Sequence, residues 1–249
     1  LMALTNNGQS GQYIMLINPR TFKVVHTAVI PKSWYGLAFN KDHSRLFASG
    51  GNDNMIRIYR TGGNQLIETD SIVLGKPWPV RISPTGLTLD QKNETLFVTT
   101  KENNALYKCN LQDKSIQQLF LGHEAYTCLF SKDESELFVS LWGGDAITVI
   151  DPEDLTITGS IPVGSRPNEM VLTPDGRFLF TSCANDNSVY VVDTESRKVI
   201  EQLHTACFPE APAGSTPNAL ALSEDGKRLY VANADNNSLA VFDISETGE

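Results

Sequence analysis

Basic residues are in deficit in this sequence: 20 Lys and Arg stand against 29 Asp and Glu, a formal net charge of −9. A surface of that sign repels phosphate backbones and anionic headgroups, so neither nucleic acid nor a charged membrane surface is an expected partner. Long apolar runs are missing too. A helical membrane span takes about 20 consecutive apolar residues and no stretch approaches that, so no membrane insertion is expected. The start, Leu1–Leu4, has neither the charged beginning nor the cleavage site of a secretory leader. That says little here, because the chain reads as beginning inside a strand. Cysteine is scarce: Cys109, Cys128, Cys183 and Cys207, with no C-x-x-C pair. Three fall in strand segments and Cys207 in a loop. This spacing suits free, mostly buried thiols rather than a metal or disulfide framework, and leaves the redox compartment undecided. No stretch has the period of a long amphipathic helix.

What the sequence does have is a repeat. Leu46-Phe47-Ala48-Ser49, Leu96-Phe97-Val98-Thr99, Leu137-Phe138-Val139-Ser140, Leu179-Phe180-Thr181-Ser182 and Leu229-Tyr230-Val231-Ala232 share one shape, and Leu1-Met2-Ala3-Leu4 reads as a sixth copy. The leucines recur at intervals of 45, 50, 41, 42 and 50 residues. Periods of about 40–50 residues built from short strands mark propeller blades. Before each copy lies a short apolar strand, such as Met170-Val171-Leu172, and a polar turn, such as Thr173-Pro174-Asp175-Gly176. After it comes a second turn rich in Asn, Asp and Gly, such as Asn52-Asp53-Asn54 or Asn185-Asp186-Asn187. These residues tolerate the positive φ that tight hairpins need. A third strand alternates with period two, as in Val189-Tyr190-Val191-Val192-Asp193, and a fourth, more polar strand closes the unit.

Each unit is therefore a four-stranded antiparallel blade, its strands here lettered A to D from inside to outside. One sheet cannot bury both of its faces, but stacked sheets can. The chain is expected to be all-β, a single β-propeller domain spanning residues 1–249. The partial first blade covers about 1–30, full blades follow at 31–74, 75–120, 121–163 and 164–203, and a partial last blade covers 204–249. Three, sixteen and three strands make 22. A six-bladed ring would take 24 and a seven-bladed ring 28, so the strand arithmetic reads the chain as incomplete.

The string Leu229-Tyr230-Val231-Ala232-Asn233, with the preceding Pro217-Asn218-Ala219-Leu220-Ala221-Leu222-Ser223-Glu224-Asp225-Gly226, resembles the YVTN/YncE-like β-propeller repeat family. Other strings, among them Ala48-Ser49-Gly50-Gly51-Asn52-Asp53-Asn54 and Leu141-Trp142-Gly143-Gly144-Asp145, are similar to the N-terminal half of bacterial proteins in which a seven-bladed propeller is fused to an alkaline-phosphatase-type phosphoesterase. The resemblance implies seven blades in the complete protein, a periplasmic or extracellular setting, and a phosphoesterase domain of the same polypeptide as a partner. It does not carry that activity to this chain. Such an enzyme needs a Ser or Thr nucleophile between metal sites of Asp and His. The four histidines are His26, His43, His123 and His204, and the one Asp-His pair, Asp42-His43, falls in a solvated A–B turn. No catalytic residue, cofactor or metal is expected.

Antiparallel order puts the B–C turns and the D–A connections on one face, the top. Both insertions that stretch the period, Gly75–Ser83 and Thr205–Ser215, are D–A connections. Long loops on a rigid scaffold are where binding usually resides. The residues leading into the A strands are Tyr35, Thr85, Tyr126, Asn168 and Asn218, which should ring the channel mouth. Trp34, Trp78, Arg81, Trp142 and Arg166 lie nearby on the same face. Aromatics and arginine dominate recognition surfaces, so these ten residues form the candidate site for a small ligand or a protein. The alternative is that the tryptophans and prolines merely cap the blades. A non-catalytic binding or scaffold module is the first functional reading. A lactonase-type propeller hydrolase acting on a sugar lactone is a second, with His123-Glu124 as its candidate acid–base pair. A surface-layer or adhesion module is a third. Fold alone does not separate them.

Overall fold

The computed structural model describes residues 2–6, 11–90, 94–206, 208 and 214–245. Among the described residues every regular element but one 3-10 turn is a strand. The first sheet holds β1 (Met2–Asn6), β2 (Tyr13–Asn18) and β3 (Lys23–Val29). The second holds β4 (Leu37–Phe39), β5 (Arg45–Ser49), β6 (Met55–Gly62) and β7 (Gln65–Val73). The third holds β8 (Pro84–Asp90), β9 (Thr95–Thr100), β10 (Ala105–Asn110) and β11 (Ile116–Phe120). The fourth holds β12 (Cys128–Phe130), β13 (Leu137–Leu141), β14 (Ala146–Asp151) and β15 (Thr156–Pro162). The fifth holds β16 (Pro167–Leu172), β17 (Phe178–Cys183), β18 (Ser188–Asp193) and β19 (Lys198–His204). The sixth holds β20 (Pro217–Leu222), β21 (Arg228–Asn233) and β22 (Ser238–Asp243). Strands pair antiparallel in sequence order throughout, as the blades of a β-propeller do.

Two compact units divide the chain, Leu1–Ala125 and Tyr126–Glu249. Within the first, strand alternation sends neighbouring side chains to opposite faces. Leu46 and Ala48 of β5 pack with Ile14, Leu16 and Tyr59, while Phe47 between them packs with Ile82, Leu87, Leu96 and Val98 of the third sheet's side. The second unit repeats the arrangement. Leu179 and Val192 join Phe138, Ile147 and Val149 on one side, and Phe180, Val189 and Val191 join Leu229 and Val231 on the other. The B and C strands of the four four-stranded sheets are thus buried on both faces, the outer strands β1 and β22 of the three-stranded sheets expose alternate residues, and the D strands β7, β11, β15 and β19 are mostly exposed.

The expectation of seven blades is corrected to six among the described residues. All 22 strands are used in six sheets, and each three-stranded sheet shares a buried core with its neighbour, Ile14 and Leu16 with the second sheet and Leu229 and Val231 with the fifth. The incompleteness inferred from strand arithmetic has no structural support. Cys109, Cys128 and Cys183 are buried, and burial pushes the Cys109 thiol up to about 12. Cys207 and Leu1 lie outside the described residues.

The turns follow the residue types. The last residue of the B–C turn has positive φ in the second to sixth sheets: Asn54 (54°), Asn104 (54°), Asp145 (44°), Asn187 (51°) and Asn237 (52°). In four blades its carbonyl accepts the N–H that follows strand D, from Leu74, Leu121, Val163 and Thr205 respectively, at 2.8–3.1 Å. One tight turn thereby ties three strands together. At Pro84, Pro167 and Pro217 the A–B register shifts. Proline cannot donate to the ladder, and the resulting bulge re-aims the next one or two side chains.

Candidate functional site

In the first unit, the connection Gly75–Ser83 is held by one side chain. Asn54 is fully buried. Its Nδ2 donates to the carbonyls of Lys76 and Val80, both at 2.7 Å, and its Oδ1 accepts from the N–H groups of Ile82 and Ser83, both at 3.1 Å. The loop so fixed presents Trp78, which is 62% exposed. The Arg81 guanidinium lies 4.9 Å from the Trp78 ring centre, and Glu102 stands 3.9 Å from Arg81. Asn52, Ser83 and Val80 complete a concavity of about 230 Å³. Trp34 behaves differently. Its ring lies beside Gly51, where a Cβ would come within 2.7 Å of its Cδ1, and beneath the Lys101 ammonium at 5.3 Å. Lys101 is held in turn by Glu124 at 3.1 Å. Trp34 is a packed cap.

In the second unit, Tyr126 stacks on Trp142 with ring centres 5.8 Å apart, and Arg166 lies 5.2 Å from the Trp142 ring centre. The B–C turn supplies Trp142, and the connection after β15 supplies Arg166, whose N–H donates to Asp145 Oδ1 at 3.3 Å. The Tyr126 hydroxyl reaches Asn218 Oδ1 at 3.5 Å. Beside Tyr126 sits Glu169, raised by the bulge of β16 out of the regular ladder. Burial pushes its carboxyl up to about 7, although the residue keeps part of its surface open. Burial, and then the Glu169 charge, also push the Tyr126 phenol up. Among the described residues no cation stands within ion-pair distance of Glu169.

The ten candidate residues therefore divide. Tyr126, Trp142, Arg166 and Asn218 come together in the second unit, and Trp78 with Arg81 in the first. Tyr35 is half-buried. Thr85 and Asn168 are corrections, because both are buried and their polar atoms are used inside the protein. The Thr85 hydroxyl bonds Thr99 O at 3.1 Å. The Asn168 amide donates to Pro217 O at 3.0 Å and Asn218 Oδ1 at 3.2 Å, and its carbonyl accepts from the Ser182 hydroxyl and Glu169 N–H. His123 and Glu124 form no acid–base pair in the structure, since Glu124 is engaged by Lys101. Glu169 and Asn54 are the residues that sequence reasoning missed. Glu169 left a signal: its column in the repeat reads Gly36, Gly86, Thr127, Glu169 and Ala219, one charge among small residues. Among the described residues no three His, Cys, Asp or Glu side chains converge as a metal site would require.

The family model described as YNCE-like beta-propeller matches residues 3–248. The chain belongs to that family. This YNCE-like propeller is also 33% identical over 82 residues to Antigen Lp49 of Leptospira interrogans. That match takes in 27% of this chain and spans only 18% of the length of Lp49. Two solved structures share the fold at low identity. Kuenenia stuttgartiensis hydrazine synthase superposes with a TM-score of 0.81 at 17% identity, over 98% of this chain and 74% of that one. The periplasmic gluconolactonase of Pseudomonas aeruginosa superposes with a TM-score of 0.77 at 20% identity, over 100% and 80%. Such different proteins on one scaffold leave the function of a YNCE-like propeller to be argued from its side chains.

Proposed function

We propose that this chain is a non-catalytic binding module whose principal site is the Tyr126–Trp142–Arg166 cluster, with Asn218 and Glu169 beside it. The observation that supports this is the stacked aromatic pair with an arginine on the same indole, held by two loops on a rigid sheet. Preset aromatic and guanidinium groups lose little freedom when a ligand arrives. Asn218 offers an amide and Glu169 a carboxyl, so the ligand is small and polar, with a flat or ring-shaped part. Isothermal titration of a metabolite panel, with Trp142→Ala as control, tests the reading. Any ligand found should lose at least about tenfold in affinity, or about 1.4 kcal/mol, in the variant. Unchanged affinity for every ligand found would remove the site. In this reading the module serves a catalytic domain elsewhere, and the phosphoesterase that the family resemblance implies, in a periplasmic or extracellular setting, is the partner to test by co-purification.

One observation favours a second reading. A carboxyl with a pKa of about 7 beside a tyrosine is suited to general-base work near neutral pH, and a similar fold carries the name gluconolactonase. In a lactonase, Glu169 would activate a water against the ring carbonyl. Hydrolysis of glucono-δ-lactone that disappears in Glu169→Gln, while the variant keeps its fold, would favour this enzyme over the binding module. No hydrolysis above the uncatalysed rate leaves the binding reading standing.

A further inference from the structure

The Gly75–Ser83 loop lies in the other unit and owes nothing to the Trp142 cluster. The equivalent turn residues Asn187 and Asp145 also accept hydrogen bonds from their connections' N–H groups, but Asn54 adds two donated bonds to loop carbonyls. A fully buried asparagine spends all four of its hydrogen bonds on fixing the loop's backbone. What it fixes in place is an indole that stays largely in water. Burial of Trp78 therefore does not explain the loop, since a connection built for stability alone would turn its tryptophan inward. Apart from Val80, the side chains around the indole are polar. Arg81 and Glu102 flank it as a loose pair, and Asn52 accepts a hydrogen bond from the Ser83 hydroxyl at 3.3 Å through its oxygen. That leaves the Asn52 amide hydrogens pointing to no partner among the described residues.

We infer that Trp78, with Arg81, Glu102 and Asn52, is a carbohydrate-binding subsite that takes one neutral pyranose ring. A pyranose has an apolar C–H face that lies on an indole. Its hydroxyls, arranged around the rim, pair with planar guanidinium, carboxylate and amide groups, the mix of apolar platform and few polar groups found in ligand sites. The concavity of about 230 Å³ is below the roughly 300 Å³ at which pockets for drug-sized ligands begin, so it holds a single ring rather than a folded peptide. An anionic ligand is disfavoured because Arg81 is already shared with Glu102 and the chain carries −9. A cation is disfavoured because the Arg81 guanidinium beside the indole would repel it, whereas a neutral ring meets no such repulsion. Asn54 is a positioning residue: it touches no sugar but sets the height and tilt of Trp78 through the loop.

The test uses the uniformly ¹⁵N-labelled chain, with its three indole N–H resonances assigned by single Trp→Phe variants. Methyl β-glucoside, methyl α-mannoside and methyl N-acetyl-β-glucosaminide are titrated to high millimolar concentration, with tetramethylammonium and acetate as controls. These glycosides cannot open as lactones, so a hydrolase at Glu169 does not confound them. The expected result is a saturable shift of the Trp78 resonance by at least one glycoside, with Trp34 and Trp142 unmoved. Trp78→Ala should abolish binding, and Asn54→Gly, which keeps the positive φ and loses the clamp, should weaken it about tenfold with the Trp142 resonance unchanged. A Trp78 resonance unmoved by all three glycosides overturns the inference. So does a response to tetramethylammonium or acetate alone. A shift at Trp142 without one at Trp78 also overturns it while supporting the site proposed above, so the two proposals fail separately.

Discussion

Glu169 occupies a repeat column that otherwise holds Gly36, Gly86, Thr127 and Ala219. Small residues there let the innermost strand pass close to its neighbours, and a carboxylate in the same place loses water without gaining a cation. The cost appears as its pKa of about 7, against an unfolded value near 4.3. The sign follows from proton binding. Between those two values the folded chain holds the proton more tightly than the unfolded chain, so stability falls as pH rises from about 4.3 to 7. Glu169→Gln removes this dependence. We expect the variant to gain about 1 kcal/mol over the parent at pH 8, after discounting the shift for partial exposure, and nothing at pH 4. Urea midpoints at the two pH values check it, and an equal gain at both would mean that packing, not ionisation, is at work. The residue was legible in the sequence only as an exception to its column. Trp142 and Arg166 were legible by type and by turn position, but Asn168 was not, because its sequence looks the same whether the amide faces a ligand or the Pro217 carbonyl.

At the scale of elements, the strands were legible and the devices that aim side chains were not. Leu-aromatic runs and Asn/Asp turns report strand and hairpin chemistry directly, and the positive φ at Asn54, Asn104, Asp145, Asn187 and Asn237 is what such turns demand. A bulge leaves only a proline as its trace, at Pro84, Pro167 and Pro217, and the side chains it turns inward or outward are decided by packing. Thr85 turned inward for that reason, and its hydroxyl meets Thr99. The B–C turn of the second sheet offers the sharpest test of turn geometry. Gly51 has φ +51°, and a Cβ there would lie 2.7 Å from Trp34 Cδ1. Gly51→Ala should therefore cost about 1–3 kcal/mol, combining backbone strain with overpacking, and should shift Trp34 emission as the ring is displaced from beneath Lys101. A spectrally silent Gly51→Ala chain with parent stability would show that Trp34 is not packed as described.

For the whole molecule, the repeat already divided the 22 strands into the six sheets that the structure shows, and the expectation of a seventh blade came from the family resemblance rather than from any strand in the chain. The same repetition has an energetic consequence that no single blade displays. Aspartates recur at equivalent turns, and their carboxylates accept from serine, threonine or backbone donors within the turn. Asp42, Asp175 and Asp225 serve the A–B turns, and Asp113 and Asp193 the C–D turns. All five are held below the usual carboxylate range, first by side-chain hydrogen bonds from Ser44, Thr173, Ser223, Ser115 and Ser196 respectively. Asp133 is the strongest case: hydrogen bonds from Ser131 and Ser135 bring it down to about 2. A carboxylate with a depressed folded pKa contributes stability that is present above its unfolded value near 3.9 and lost as pH falls through the folded value. The turns thus lose their caps as pH falls below about 4, with Asp133 holding its charge down to about 2. Glu169 acts with the opposite sign at higher pH, so stability should peak near pH 5 and fall steeply below pH 4. Urea midpoints at pH 7, 5 and 3 measure this directly. Asp133→Asn, which keeps one acceptor oxygen but no titrating group, should flatten part of the acid limb and leave the limb above pH 5 unchanged. If the midpoint at pH 3 equalled that at pH 5, the turn aspartates would be ordinary solvated carboxylates and the acid limb would belong to other groups.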